Sequence, residues 1–100
     1  MSSPDTEGRE RRSWTFLTNH AQVLLCLAGD PDIRLRDVAA TVGITERAAQ
    51  RIVGELIDEG YVQRARVGRR SRYTVDRGHA MRHAAQAGHQ IGSLLDLLQG

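Results

Sequence analysis

Two segments with helical periodicity are separated by only three residues, Gly43-Ile44-Thr45, and that gap constrains the fold of this 100-residue chain more than any other feature. In the first segment, Arg36 to Val42, the apolar positions Val38, Ala39 and Val42 recur at helical spacing, and Gly43 follows as a C-terminal stop. Thr45 then offers an N-cap, with Glu46 in the first turn where a carboxylate favours the positive end of the helix dipole. The second helix, counted from its cap at Thr45 to Glu59, carries Ala49, Ile52, Val53, Leu56 and Ile57 as one buried stripe. Gly60 can supply the left-handed cap that ends it.

A hairpin is expected next. Tyr61 to Val67 and Ser71 to Val75 are rich in Tyr, Val and Thr, and a turn containing Gly68 joins them. Tyr73 and Val75 alternate with Arg72 and Thr74, whereas Val62, Arg64 and Arg66 share one parity. That reads as a ribbon leaving the core as it lengthens. Between Tyr61 and Arg77 there are six arginines against one acid, Asp76, for a local formal charge of +5 in a chain whose net charge is only +2.

The outward positions of the second helix are Glu46, Arg47, Gln50, Arg51, Gly54, Glu55 and Asp58. Arginine can take guanine O6 and N7 in a bidentate contact, and glutamine can do the same with adenine N6 and N7. Arg47, Gln50 and Arg51, near the helix start, are therefore candidates for base readout. Thr45 and the hairpin arginines Arg64, Arg66, Arg69, Arg70 and Arg72 are candidates for phosphate or wing contact, since phosphate neutralisation supplies affinity while base edges supply choice. The bland alternatives are a solvated helix face and an edge hairpin that uses charge to block aggregation. Six arginines between Tyr61 and Arg77 exceed what the second alternative needs.

The run from Leu35 through Gly43-Ile44-Thr45-Glu46-Arg47-Ala48-Ala49-Gln50-Arg51-Ile52-Val53, then Gly60-Tyr61-Val62 and Val67-Gly68-Arg69-Arg70-Ser71-Arg72-Tyr73, resembles the winged helix-turn-helix of small bacterial transcription regulators of the MarR and ArsR type. The resemblance implies a mainly α fold with a small β-hairpin, in a dimeric regulator of double-stranded DNA. It implies a recognition helix over 45–59 that enters the major groove and a wing over 61–76 with its tip at Gly68 to Arg70. The chain is shorter than full MarR-type proteins, which have a longer helical frame, so no effector is assigned by this route.

Length and composition fit one small domain. Residues 1–13 are polar and charged and are expected to form a disordered tail; residues 14–77 form the DNA-binding domain, and 78–100 a C-terminal helix. No apolar run is long enough to span a bilayer and no secretory signal opens the chain, so the cytoplasm is the expected compartment. The lone Cys26 cannot form an internal disulfide. Trp14-Thr15-Phe16-Leu17 is a strand or a helix lead-in, followed by an N-cap at Thr18 or Asn19 and an almost wholly apolar helix over 21–28.

From His79 to Leu98, Ala84, Ala87, Ile91, Leu94, Leu95 and Leu98 fall on a helical stripe, although Gly88 and Gly92 weaken it. Such a helix needs a partner surface, either its own domain or a second copy across a two-fold axis; pairing with a second copy is expected, through Val23, Leu27, Ile91, Leu94, Leu95 and Leu98. A dimer would set two recognition helices about 34 Å apart on an inverted repeat.

His79 and His83 stand at i and i+4, which would put two imidazoles on one helix face, but one cysteine and no dense ligand cluster make solvated histidines the default. No metal or other cofactor is implied. Nor is an enzyme: the chain has no phosphate-cradling glycine loop, nucleophile elbow, or His-and-carboxylate pair at a metal-ligand spacing. The rival function is a winged module that binds protein, or binds nucleic acid without sequence choice.

Overall fold

The structure, a computed structural model, describes residues 15–99. The expected tail, 1–13, and Trp14 lie outside them. Thr15 to Thr18 form an irregular lead-in rather than a strand. Helix α1 (Asn19–Gly29) begins where the Thr18 hydroxyl accepts the Ala21 N–H at 3.1 Å, and it buries Val23, Leu24 and Leu27. Helix α2 (Leu35–Val42) ends at Gly43, whose φ of 86° is the left-handed conformation that a residue without a Cβ takes at little cost. The N–H groups of Gly43 and Ile44 both bond the Ala39 carbonyl, at 2.8 and 3.0 Å, so the turn satisfies the end of the helix.

Helix α3 (Glu46–Asp58) starts with the Thr45 hydroxyl accepting the Ala48 N–H at 3.0 Å. Its stripe of Ala49, Ile52, Val53 and Leu56 is buried. Gly60, at φ 88°, turns the chain so that Tyr61 N–H bonds the Leu56 carbonyl at 2.9 Å. Strands β1 (Val62–Val67) and β2 (Arg70–Val75) follow as an antiparallel pair in the register Val62 opposite Val75 through Val67 opposite Arg70. Gly68, at φ 64°, sits in the two-residue tip.

The core lies where α1, α2 and α3 meet the root of the hairpin. Val23, Leu27, Val38, Ala49, Ile52, Val53 and Val62 are almost wholly excluded from solvent. Each of these side chains larger than alanine contributes about 1.5–3 kcal/mol through apolar burial. Among the described residues the core contains no buried polar or charged group.

The C-terminal segment differs from the expected helix over 79–98. Helix α4 covers only Ile91–Gln99; before it stand a single 3-10 turn at Ala84–Gln86 and an isolated antiparallel bridge between Ala80 and Gln90. Ala84 and Ala87 therefore do not share a helical stripe with Ile91. The reason lies in backbone hydrogen bonds: Ile91 N–H bonds the His79 carbonyl at 2.9 Å, Gly92 N–H bonds that of Arg77 at 2.8 Å, and Met81 N–H bonds that of His89 at 3.0 Å. A loop folded back in this way satisfies the first N–H groups of α4, which a continuous helix would have bonded internally.

Packing also corrects the expected dimer surface. Val23 and Leu27 are completely buried, as is Leu95, and Ile91 nearly so, all against the chain's own core. A side chain with no exposed surface has none to offer a second copy. Of the six residues expected at that interface, Leu94 and Leu98 keep exposed area, and Leu97 beside them is more exposed than either.

Candidate nucleic-acid interface

The N-cap and the apolar stripe of α3 fix which of its side chains point away from the core. Arg47, Gln50 and Arg51 are exposed there. Arg47 and Gln50 have no hydrogen-bond or ion-pair partner among the described residues. Arg51 does: its Nη1 donates to both carboxylate oxygens of Glu55, one turn on, at 3.3 and 3.4 Å. His20, on α1, places its Nε2 2.6 Å from the same carboxylate. The His20 hydrogen bond is the main cause that holds the Glu55 carboxyl below its ordinary range.

The wing arginines divide into two groups. The pleat puts Arg64 and Arg66 on the face that carries Val62 and Tyr73, and Arg70 and Arg72 on the other. Arg70 donates to the Asp32 carbonyl at 2.7 Å, and Arg72 grips the Asp32 carboxylate through two nitrogens. Backbone reinforces this, because Tyr73 N–H bonds the Pro31 carbonyl at 2.9 Å. Arg72, expected to meet phosphate, is therefore first an anchor that ties the wing to the loop between α1 and α2. Arg64, Arg66 and Arg69 keep their cations exposed and without a partner among the described residues.

Arg34, which sequence reasoning passed over, joins them. It is the N-cap residue of α2, its side chain makes no capping bond, and with Arg64, Arg69 and Arg70 it lines a cleft of about 440 Å³. Among the described residues that line it, Asp32 is the only acid. Four guanidinium groups in one concave surface create a field that attracts a polyanion. Nothing local in the sequence marks Arg34, because its relation to the wing arises from the pairing of Pro31 and Asp32 with β2.

The histidine pair resolves differently. His79 and His83 lie outside any helix, so the i, i+4 geometry that would put two imidazoles on one face does not form. His79 stacks on Tyr61 with ring centroids 3.9 Å apart and bonds the Glu59 carbonyl at 3.0 Å, while His83 accepts the Ala85 N–H at 3.0 Å. Among the described residues no three His, Cys, Asp or Glu side chains converge as a metal site. Cys26 is half-buried in α1, where burial pushes its thiol up, away from the reactive thiolate.

Three helices, a tight turn before the third and a cationic two-stranded ribbon define a winged helix-turn-helix of the DNA-binding type. The MarR family model matches residues 15–72, more than half of the sequence, and the chain belongs to that family of DNA-binding transcription regulators, not to the enzymes. Among solved structures it is similar to one titled a predicted DNA-binding transcriptional regulator from E. coli, with a TM-score of 0.56 and 16% identity over 92% of this chain and 77% of that one. At that identity the likeness speaks to the fold. No curated protein matches the sequence.

Proposed function

We propose that this MarR-family regulator reads a specific duplex sequence, with α3 in the major groove and the wing on the adjoining backbone. The observation that carries this reading is that Arg47 and Gln50 stand exposed and uncommitted on α3, while Arg34, Arg64 and Arg69 gather at a cationic cleft beside the wing. The helix supplies bidentate donors and acceptors for base edges, and the cleft supplies charge for phosphate.

The functional unit we propose is a homodimer on an inverted repeat. Leu94, Leu97 and Leu98 on α4 support it, as an apolar surface that this chain's own core leaves uncovered. Among the described residues no helix is long and apolar enough to cross a membrane. A regulator of transcription works where the chromosome is, and we place this one in the cytoplasm.

The test is selection of bound duplexes from a random pool, with the mass of the complex measured on the winning sequence. An enriched inverted repeat carrying two chains is the expected result. Enrichment of no sequence would overturn operator reading, and one chain on an enriched asymmetric site would overturn the dimer.

A further inference from the structure

We infer that Glu55 is a positioning residue for base readout and that His20 braces it, so that the pair presents Arg51 of α3 in one fixed attitude. The inference rests on the reading of α3 as the recognition helix. Glu55 is a shared acceptor: Arg51 reaches it along α3, and His20 reaches it from α1, 35 residues away in sequence. The carboxylate is thereby fixed from two elements, and Arg51 is tethered to a point that does not belong to a single flexible side chain.

The tether leaves the useful edge of Arg51 open. A guanidinium has five N–H donors, and only Nη1 is committed to Glu55; Nε and Nη2, with three N–H groups, have no partner among the described residues. That edge presents two parallel donors that can meet guanine O6 and N7 side by side. An arginine already held loses less rotamer freedom on binding than a free one, so the brace favours the bidentate contact over unspecific contact with phosphate.

The carboxylate also has an opposite effect on general binding. A negative charge on the helix face that enters the groove repels phosphates, whatever the base sequence. Removing it should therefore loosen choice while leaving general affinity unchanged or raised. A residue that only supported the fold would lower both together.

The experiment compares the duplex selected by the wild-type chain with a scrambled duplex of equal length, for wild type, Glu55→Ala, Glu55→Gln, His20→Asn, Arg51→Ala and the Glu55→Ala/Arg51→Ala double variant. Glu55→Ala should lower the ratio of the two affinities about three- to tenfold, without weakening the scrambled complex. His20→Asn should move the ratio in the same direction by less. In the Arg51→Ala background, loss of Glu55 should leave that ratio unchanged.

Thermal unfolding checks that each variant is folded. If the alanine variant melts early, the isosteric Glu55→Gln must still lower the ratio. A ratio unchanged in a folded Glu55 variant, or lowered as much without Arg51 as with it, overturns the inference. A wild-type chain that prefers neither duplex overturns instead the parent reading of α3, and this one with it.

Discussion

Arg72 and Asp32, 40 residues apart in sequence, meet through two nitrogens and two oxygens: Nε to Oδ1 at 2.9 Å and Nη2 to Oδ2 at 3.4 Å. The pair joins β2 to the loop between α1 and α2, and Arg70 adds a bond to the Asp32 carbonyl. The wing is thus rooted on the body that carries α3.

Acid should loosen that root. The Arg72 hydrogen bond holds the Asp32 carboxyl below its usual range, and the His20 bond does the same for Glu55. A carboxylate with a depressed folded-state pKa contributes stability above its unfolded value, about 4, and loses it as pH falls through the lower folded value. Stability is expected to fall below about pH 4, with a shallower acid limb in Asp32→Asn. Chemical denaturation across pH measures it; identical limbs in the two proteins would exclude Asp32 as a contributor.

Replacement of Arg47 or Gln50 by Ala should relax base choice at separate positions of the selected duplex, by about 1 to 3 kcal/mol for each bidentate pairing removed. Binding to a panel of single-base variants reads this directly. A weakening equal across the whole panel would mean that the side chain meets phosphate instead.

Arg64→Ala and Arg69→Ala should weaken binding to every duplex alike, since phosphate carries no sequence information. Each should also reduce the slope of log affinity against log salt by about 1. A full wild-type slope in both variants would remove the wing from the interface. Arg72→Ala should behave differently, because it releases Asp32 as well as a cation.

Gly92 marks the close approach that sets the start of α4. A Cβ there would lie 2.7 Å from the Arg77 carbonyl oxygen, and the Gly92 N–H already bonds that oxygen at 2.8 Å. Gly92→Ala should destabilise the chain by about 1 to 3 kcal/mol through overpacking, although alanine is the better helix former. Equilibrium unfolding would show it, and a gain in stability would mean that the segment from Arg77 shifts freely. Leu56→Ala, at the buried face of α3, should cost about 2 to 5 kcal/mol by leaving a cavity.

The local grammar of the chain was readable without coordinates. Thr18, Thr45, Gly43 and Gly60 act as caps at the positions where their neighbours already implied helix ends, because capping involves residues only a few places apart. The same holds for the stripe of α3 and the turn at Gly68, where period and turn chemistry are written into consecutive residues. Periodicity failed at the C-terminus. His79 to Gln90 keeps a helical pattern, yet its backbone bonds the start of α4, a competition between local and distant partners that no residue spacing encodes.

Amino-acid order alone therefore determined the helix pair, its tight turn, the cationic hairpin and the polar set on α3. Docking decided the rest: that Val23 and Leu27 are consumed by the core, that Arg72 is held by Asp32, that Arg34 joins the wing's cleft, and that His20 meets Glu55. Side chains 35 or 40 residues apart have no fixed distance until apolar burial brings their elements together, and only then does charge find its partner.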